Sequence, residues 1–116
     1  VDFTKPAILV EGVFDAIVAG ENSIPILGST LREDSRLFQK IIENNSTVYM
    51  ALDPDATNKT NSIIEKFLRY GIKVYIIDIR GFKDVGEMTK EEFATRKENA
   101  TQITDNLSLL FTNVKF

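Results

Sequence analysis

The chain contains neither cysteine nor histidine among its 116 residues. Those two absences remove disulfides, zinc–thiolate sites, thiol nucleophiles, imidazole bases and every Ser-His-Asp arrangement at once. Acid–base chemistry here falls to Asp, Glu, Lys or Tyr. No apolar run approaches the ~18–20 residues that a membrane-spanning helix needs. The first residue is Val1, with no initiator Met and no charged-then-apolar leader. This predicts a fragment excised from a longer protein, or a processed chain, with no signal peptide and a cytoplasmic location. An excess of positive charge is missing too. The formal net charge of −3 argues against a free-standing nucleic-acid binder, although bound metal ions neutralise phosphates locally.

What is present is ordinary for a globular protein: 43% hydrophobic and 27% charged residues. The length fits one domain with a real core, residues 1–116. The stretch that organises the rest is Val48-Tyr-Met-Ala-Leu-Asp-Pro-Asp-Ala56. It starts as a buried parallel strand, apolar without alternation, and ends in Asp53 and Asp55. Pro54 has no N–H for a strand ladder, so the strand stops there and presents two acids at its carboxyl end. Open α/β folds bind ligands at that end. Mg²⁺ is commonly held by one or two carboxylates, with water and phosphate oxygens filling its other positions. The plainer alternative is a turn in which one Asp caps the following helix.

Three other runs resemble strands. Ala7-Ile-Leu-Val10 is followed by Glu11-Gly12 and then by a helix over 13–19, with Val13, Phe14 and Ile17 expected on its buried face. Ile24-Pro-Ile-Leu27 carries Pro25 and suits a sheet edge. Thr30-x-x-Glu33 is a capping-box pattern, predicting a helix over about 31–42 with Leu37, Phe38, Ile41 and Ile42 inward. Arg32, Arg36 and Lys40 form a basic stripe on that helix, most simply a solvated face. Ile63, Ile64, Phe67 and Leu68 mark a further helix ending at Gly71, and Ile72-Lys-Val-Tyr-Ile-Ile77 begins the last strand. Alternation of such runs with helices is the signature of βαβ units. It predicts an α/β, Rossmann-like parallel sheet of about four strands, near 7–10, 24–27, 47–52 and 72–78, with helices on both faces.

Beyond the last strand, Gly81-Phe-Lys-Asp-Val-Gly-Glu87 describes a tight loop presenting Asp84 and Glu87. Thr89-x-x-Glu92 opens another helix, through about Asn99. The tail, with Ile103, Leu107, Leu109, Leu110, Phe111 and Phe116, is too apolar for disorder, and its periodicity does not decide between helix and strand. Glu11, the Asp53/Asp55 pair and the Asp84/Glu87 loop each follow a predicted strand, so all should gather on one sheet edge. Carboxylates crowded without a cation repel one another, which makes an oxygen-rich, histidine-free Mg²⁺ or Mn²⁺ site the natural expectation.

Val10-Glu11-Gly12 and Leu52-Asp53-Pro54-Asp55-Ala56, two βα units apart, resemble the Toprim domain shared by primases, type IA and II topoisomerases and some nucleases. The resemblance covers about 6–98 and leaves 99–116 as a C-terminal extension. Three stretches look like the DnaG-type and phage DNA primases. Glu11-Gly-Val-Phe-Asp-Ala-Ile17 matches their Glu-Gly-x-x-Asp-Ala pattern, Leu27-Gly-Ser-Thr-Leu31 their Leu-Gly-Thr segment, and Lys83-Asp84-Val-Gly-Glu87 their Lys-Asp-Pro-Asp-Glu loop. Two departures point to a divergent, phage-type member: Thr57-Asn58 follows Ala56 where many Toprim domains place Gly, and Val85-Gly86 replaces Pro and a second Asp.

The resemblance implies Mg²⁺-dependent nucleotidyl transfer in RNA primer synthesis for DNA replication, in a bacterial cell or a phage-infected host. It makes Glu11 the catalytic acid/base and assigns Asp53, Asp55 and Asp84 to the metal. Gly12, Asp15, Lys83 and Glu87 would support them. Nucleoside triphosphates and a single-stranded DNA template are the implied partners, the template held by other domains and a replicative helicase nearby, with the chain inactive by itself. A Toprim nuclease or topoisomerase would use the same acids. A receiver-like signalling module, with Asp53 as phosphoacceptor, is the alternative of another class.

Overall fold

Pro6 and Glu11 bracket an unbroken apolar run, and between them lies β1 (Ala7–Val10), buried along its whole length. A computed structural model describes residues 1–53 and 57–104. Asp55, with Pro54 and Ala56, and the tail beyond Thr104 lie outside the described residues. β1 pairs in parallel with β2 (Ser23–Pro25) on one side and with β3 (Val48–Ala51) on the other. β4 (Val74–Ile76) continues the parallel sheet beside β3. The sheet has five strands in the order β2-β1-β3-β4-β5, rather than the expected four or so. β5 (Thr101–Ile103) is antiparallel to β4, with Ile103 opposite Val74. It is only three residues long and buries a single side chain, Ile103, too little pattern to stand out in the sequence. Pro25 sits on an edge strand, where its missing N–H costs no central ladder bond.

Helices cover both faces. On one, α2 (Arg36–Asn44) and α3 (Thr57–Arg69) bury Phe38, Ile41, Ile63, Ile64 and Phe67 against Leu9, Val48, Met50 and Val74. Phe38 stacks on Phe67, with ring centroids 4.9 Å apart, and meets Tyr70 edge-on at 5.5 Å. These ring pairs lock the two helices together. On the other face, α1 (Val13–Ala19) and α4 (Lys90–Glu98) cover Ile8, Val10, Ala51 and Ile77. The capping box at Thr89 forms as expected: its hydroxyl accepts from Glu92 N–H and the Glu92 carboxylate accepts from Thr89 N–H.

Two local expectations fail. The helix expected over 31–42 starts later, at Arg36, because Ser35 and not Thr30 is its cap, Ser35 Oγ accepting from Phe38 N–H. Glu33, the other half of the expected box, instead accepts from Arg69 and from the Tyr70 hydroxyl at the far end of α3. Arg32 therefore lies outside the helix and pairs with Asp34, while Arg36 and Lys40 are solvated on α2. The second failure is the face of α1. Val13, Phe14 and Ile17 are exposed, Phe14 by 80%, while Ala16, Val18 and Ala19 face the core. Small side chains allow the seven-residue helix to approach the sheet closely, and the larger ones point away.

Candidate functional site at the carboxyl edge of the sheet

The strand order places a topological switch between β1 and β3. The chain leaves β1 through α1 towards β2 on one side, then returns through α2 to β3 on the other. The crevice beyond the carboxyl ends of such a strand pair is where doubly wound folds bind ligands. Val10 is paired with Ala51, so Glu11 and Asp53 stand just past the ends of the two flanking strands. The edge extends to the β2 side as well. Ile26 N–H donates to Val10 C=O, and Leu27 N–H donates to Glu11 C=O, at 2.9 Å each.

Glu11 is mostly buried and does not stand alone. Lys59, in the first turn of α3, brings its Nζ to 2.6 Å from Glu11 Oε1. Both side chains are largely enclosed, 18% exposed for Lys59 and 23% for Glu11. Glu11 Oε2 is buried and meets no hydrogen-bond donor among the described residues. Asp53 is half-buried, with its Oδ1 enclosed. Lys59 has no signal in the sequence, because it lies 48 positions from its partner.

Asp15 turns out to be a buried connector. Its Oδ2 accepts from Gly12 N–H at 2.9 Å, and its Oδ1 accepts from Gly86 N–H at 2.7 Å. One carboxylate thus ties the β1–α1 turn to the short 3₁₀ helix η1 (Val85–Glu87), bringing the Lys83–Glu87 loop against the start of α1. Gly86 suits this closeness: a Cβ there would stand 3.2 Å from Asp15 Oδ1 and 3.3 Å from Asp84 Oδ1, a tight fit. Asp84 Oδ1 caps η1 by accepting from Glu87 N–H. Glu87 folds back to accept from the backbone N–H of Lys83. Among the described residues, no three Asp or Glu side chains form a cation-binding group; Asp55, the second acid of the pair, is outside that set.

Asp78, just past β4, is an acid that sequence reasoning passed over. Burial raises its pKa, but hydrogen bonds from the Arg80 side chain and backbone, with the nearby Arg80 and Arg96 charges, outweigh that and leave it lowered. Arg96 also donates to Asp78 C=O and Arg80 C=O, fastening α4 to the loop after β4. Asp78 is engaged by cations of the protein itself.

The segment between β2 and α2 borders the site and is strained. Leu27 and Leu31 both hold left-handed backbone, φ 53° and 54°, which branched side chains rarely adopt. Lys66 of α3 holds this loop by donating to Thr30 C=O at 3.1 Å, and Ser29 Oγ accepts from Leu31 N–H. This is the Leu-Gly-Ser-Thr-Leu stretch singled out in the sequence, placed next to Glu11 by the Leu27 hydrogen bond.

Comparison with known protein families, characterised proteins and solved structures finds no match for this chain. Among the described residues no helix is long and apolar enough to cross a membrane. Fold alone does not assign function; the chemistry of the site does.

Proposed function

We propose that this chain is the catalytic, metal-binding Toprim domain of a phage-type DNA primase, acting in Mg²⁺-dependent nucleotidyl transfer. The observation that carries this is the position of Glu11 and Asp53 on the two strands flanking the switch point. The donor set fits a hard cation: the acids after β3 offer carboxylate oxygens, and the chain has no histidine or cysteine to compete with them. Asp53 and Asp55 are the residues that would hold Mg²⁺, with Asp84 the further acid of the neighbouring loop. The cation, when bound, supplies positive charge against the phosphate oxygens of the incoming nucleotide.

The chain's own residues do the rest. Glu11 Oε2 accepts the proton of the attacking 3′-hydroxyl as the new bond to the α-phosphorus forms, and pyrophosphate leaves with the electrons of the broken P–O bond. Asp15 holds the Lys83–Glu87 loop against the turn that carries Glu11. Loop 27–31 lies against the same turn and suits contact with nucleotide or template. The acidic chain relies on other domains of its polypeptide to hold nucleic acid.

The test is primer synthesis on a single-stranded template by the intact polypeptide. Asp53→Asn is expected to abolish synthesis, and Glu11→Gln to slow it by ~10²–10⁴-fold, the usual scale for a lost general acid or base. Undiminished synthesis by Asp53→Asn would sink the proposal.

A further inference from the structure

We infer that Lys59 is a positioning residue for Glu11: it takes one carboxylate oxygen and so dedicates the other to the reacting proton. This deepens the proposed nucleotidyl transfer and rests on it. The first observation is the contact itself, Nζ to Oε1 at 2.6 Å between two largely enclosed side chains. The second is what the contact leaves over, a buried Oε2 with no donor among the described residues. A buried acceptor is ordinarily satisfied, and a hydroxyl that entered the switch-point crevice and displaced the side chains over Glu11 would be a donor that satisfies it. The third is the location of Lys59 in the helix. A cation in the first turn of α3 opposes the helix dipole, which favours cations at the other end. Helix stability therefore gives no reason for a lysine at this position, whereas Glu11 does. A base held in one orientation by a third group is the general form of an activated pair.

Other roles make different predictions. A lysine that bound the triphosphate would act independently of Glu11 and be felt in KM. A lysine that merely stood in for the divalent cation would compete with it.

The experiment compares wild-type, Lys59→Met, Lys59→Arg, Glu11→Gln and the Lys59→Met/Glu11→Gln double variant in the intact polypeptide. Steady-state primer synthesis is measured beside Mn²⁺ titration and urea unfolding without divalent cation. Lys59→Met is expected to lower kcat by ~10²-fold, the scale of a misplaced reacting group, with KM for nucleotide little changed. Lys59→Arg should recover most of that loss. The double variant should be no slower than Glu11→Gln alone, because both changes act through one carboxylate. Mn²⁺ affinity should stay within about two-fold of wild type in Lys59→Met, since the residue acts on the base and not on the cation's acids. In unfolding, Lys59→Met should be destabilised, and Glu11→Gln should restore part of the loss by removing the unpaired charge.

A rise in KM with kcat unchanged, multiplicative loss in the double variant, or a marked gain in Mn²⁺ affinity in Lys59→Met would each overturn the inference. So would a fully active Lys59→Met. Wild-type protein that transfers no nucleotide removes the functional reading and the inference with it; an active wild type beside an unaffected Lys59→Met removes the inference alone.

Discussion

Asp15, expected to support the site, joins two segments of backbone. It sits in a motif that resembles a primase signature, and it is an acid beside Glu11. Both of its oxygens are nevertheless occupied by backbone N–H groups from two separate segments. An amide in its place would turn one acceptor into a donor facing an N–H. Asp15→Asn is therefore expected to cost about 1–3 kcal/mol of stability, the price of a buried group left without its partner. Urea unfolding measures this, and faster hydrogen exchange at the Gly86 amide would locate the loss. Asp78 makes a second prediction at this scale. Its folded pKa lies below its unfolded value because the Arg80 hydrogen bonds and the Arg80 and Arg96 charges outweigh burial. The stability it contributes is present above the unfolded carboxylate value of about 3.9 and lost as pH falls through the lower folded value. Urea midpoints of wild-type and Asp78→Asn protein should differ near about pH 6 and converge well below about pH 4. A gap that persists in acid would mean that the carboxylate's charge is not what matters there.

Among the elements, the strands were the most legible and the helix faces the least. The residues of β1 are those of the apolar run between Pro6 and Glu11. The site strand ends where Pro54 and the acids said it must, β3 closing at Ala51. The start of α2 was misplaced because Thr30 and Ser35 both signal a cap, and only the tertiary contacts of Glu33 with α3 decide between them. The face of α1 was misread because apolar residues surround the helix. Periodicity cannot say that Ala16 and Ala19, not Phe14, meet the sheet. That correction is testable. Phe14→Ser should change stability by no more than about 0.5 kcal/mol, as exposed substitutions do. Phe38→Ala, which removes a fully buried ring stacked on Phe67, should cost about 3–5 kcal/mol. Equal losses for the two would return Phe14 to the core. The Glu11–Lys59 pair was illegible for a different reason, since nothing local links residues 48 positions apart.

At the scale of the whole molecule, the sheet closes with a strand that lay beyond the 6–98 core read from the sequence. Ile103 is 1% exposed and packs with Val74 and the α2–α3 core, so the fold needs the chain at least that far. Ile103→Ala is expected to lower stability by about 2–5 kcal/mol; a negligible change in urea unfolding would make β5 an appendage.

In the proposed reading, the acids of the Asp53 loop would hold a divalent cation at the edge between β1 and β3, and Glu11 would move a proton beside it. Isothermal titration of Mn²⁺ into the protein and its single variants tests this most directly. Saturable binding to wild type is expected. Asp53→Asn and Asp55→Asn should each weaken it by at least ~10-fold, while Glu11→Gln keeps most of the affinity. Wild-type protein that binds no Mn²⁺, or Glu11→Gln that loses binding as completely as Asp53→Asn, would contradict it.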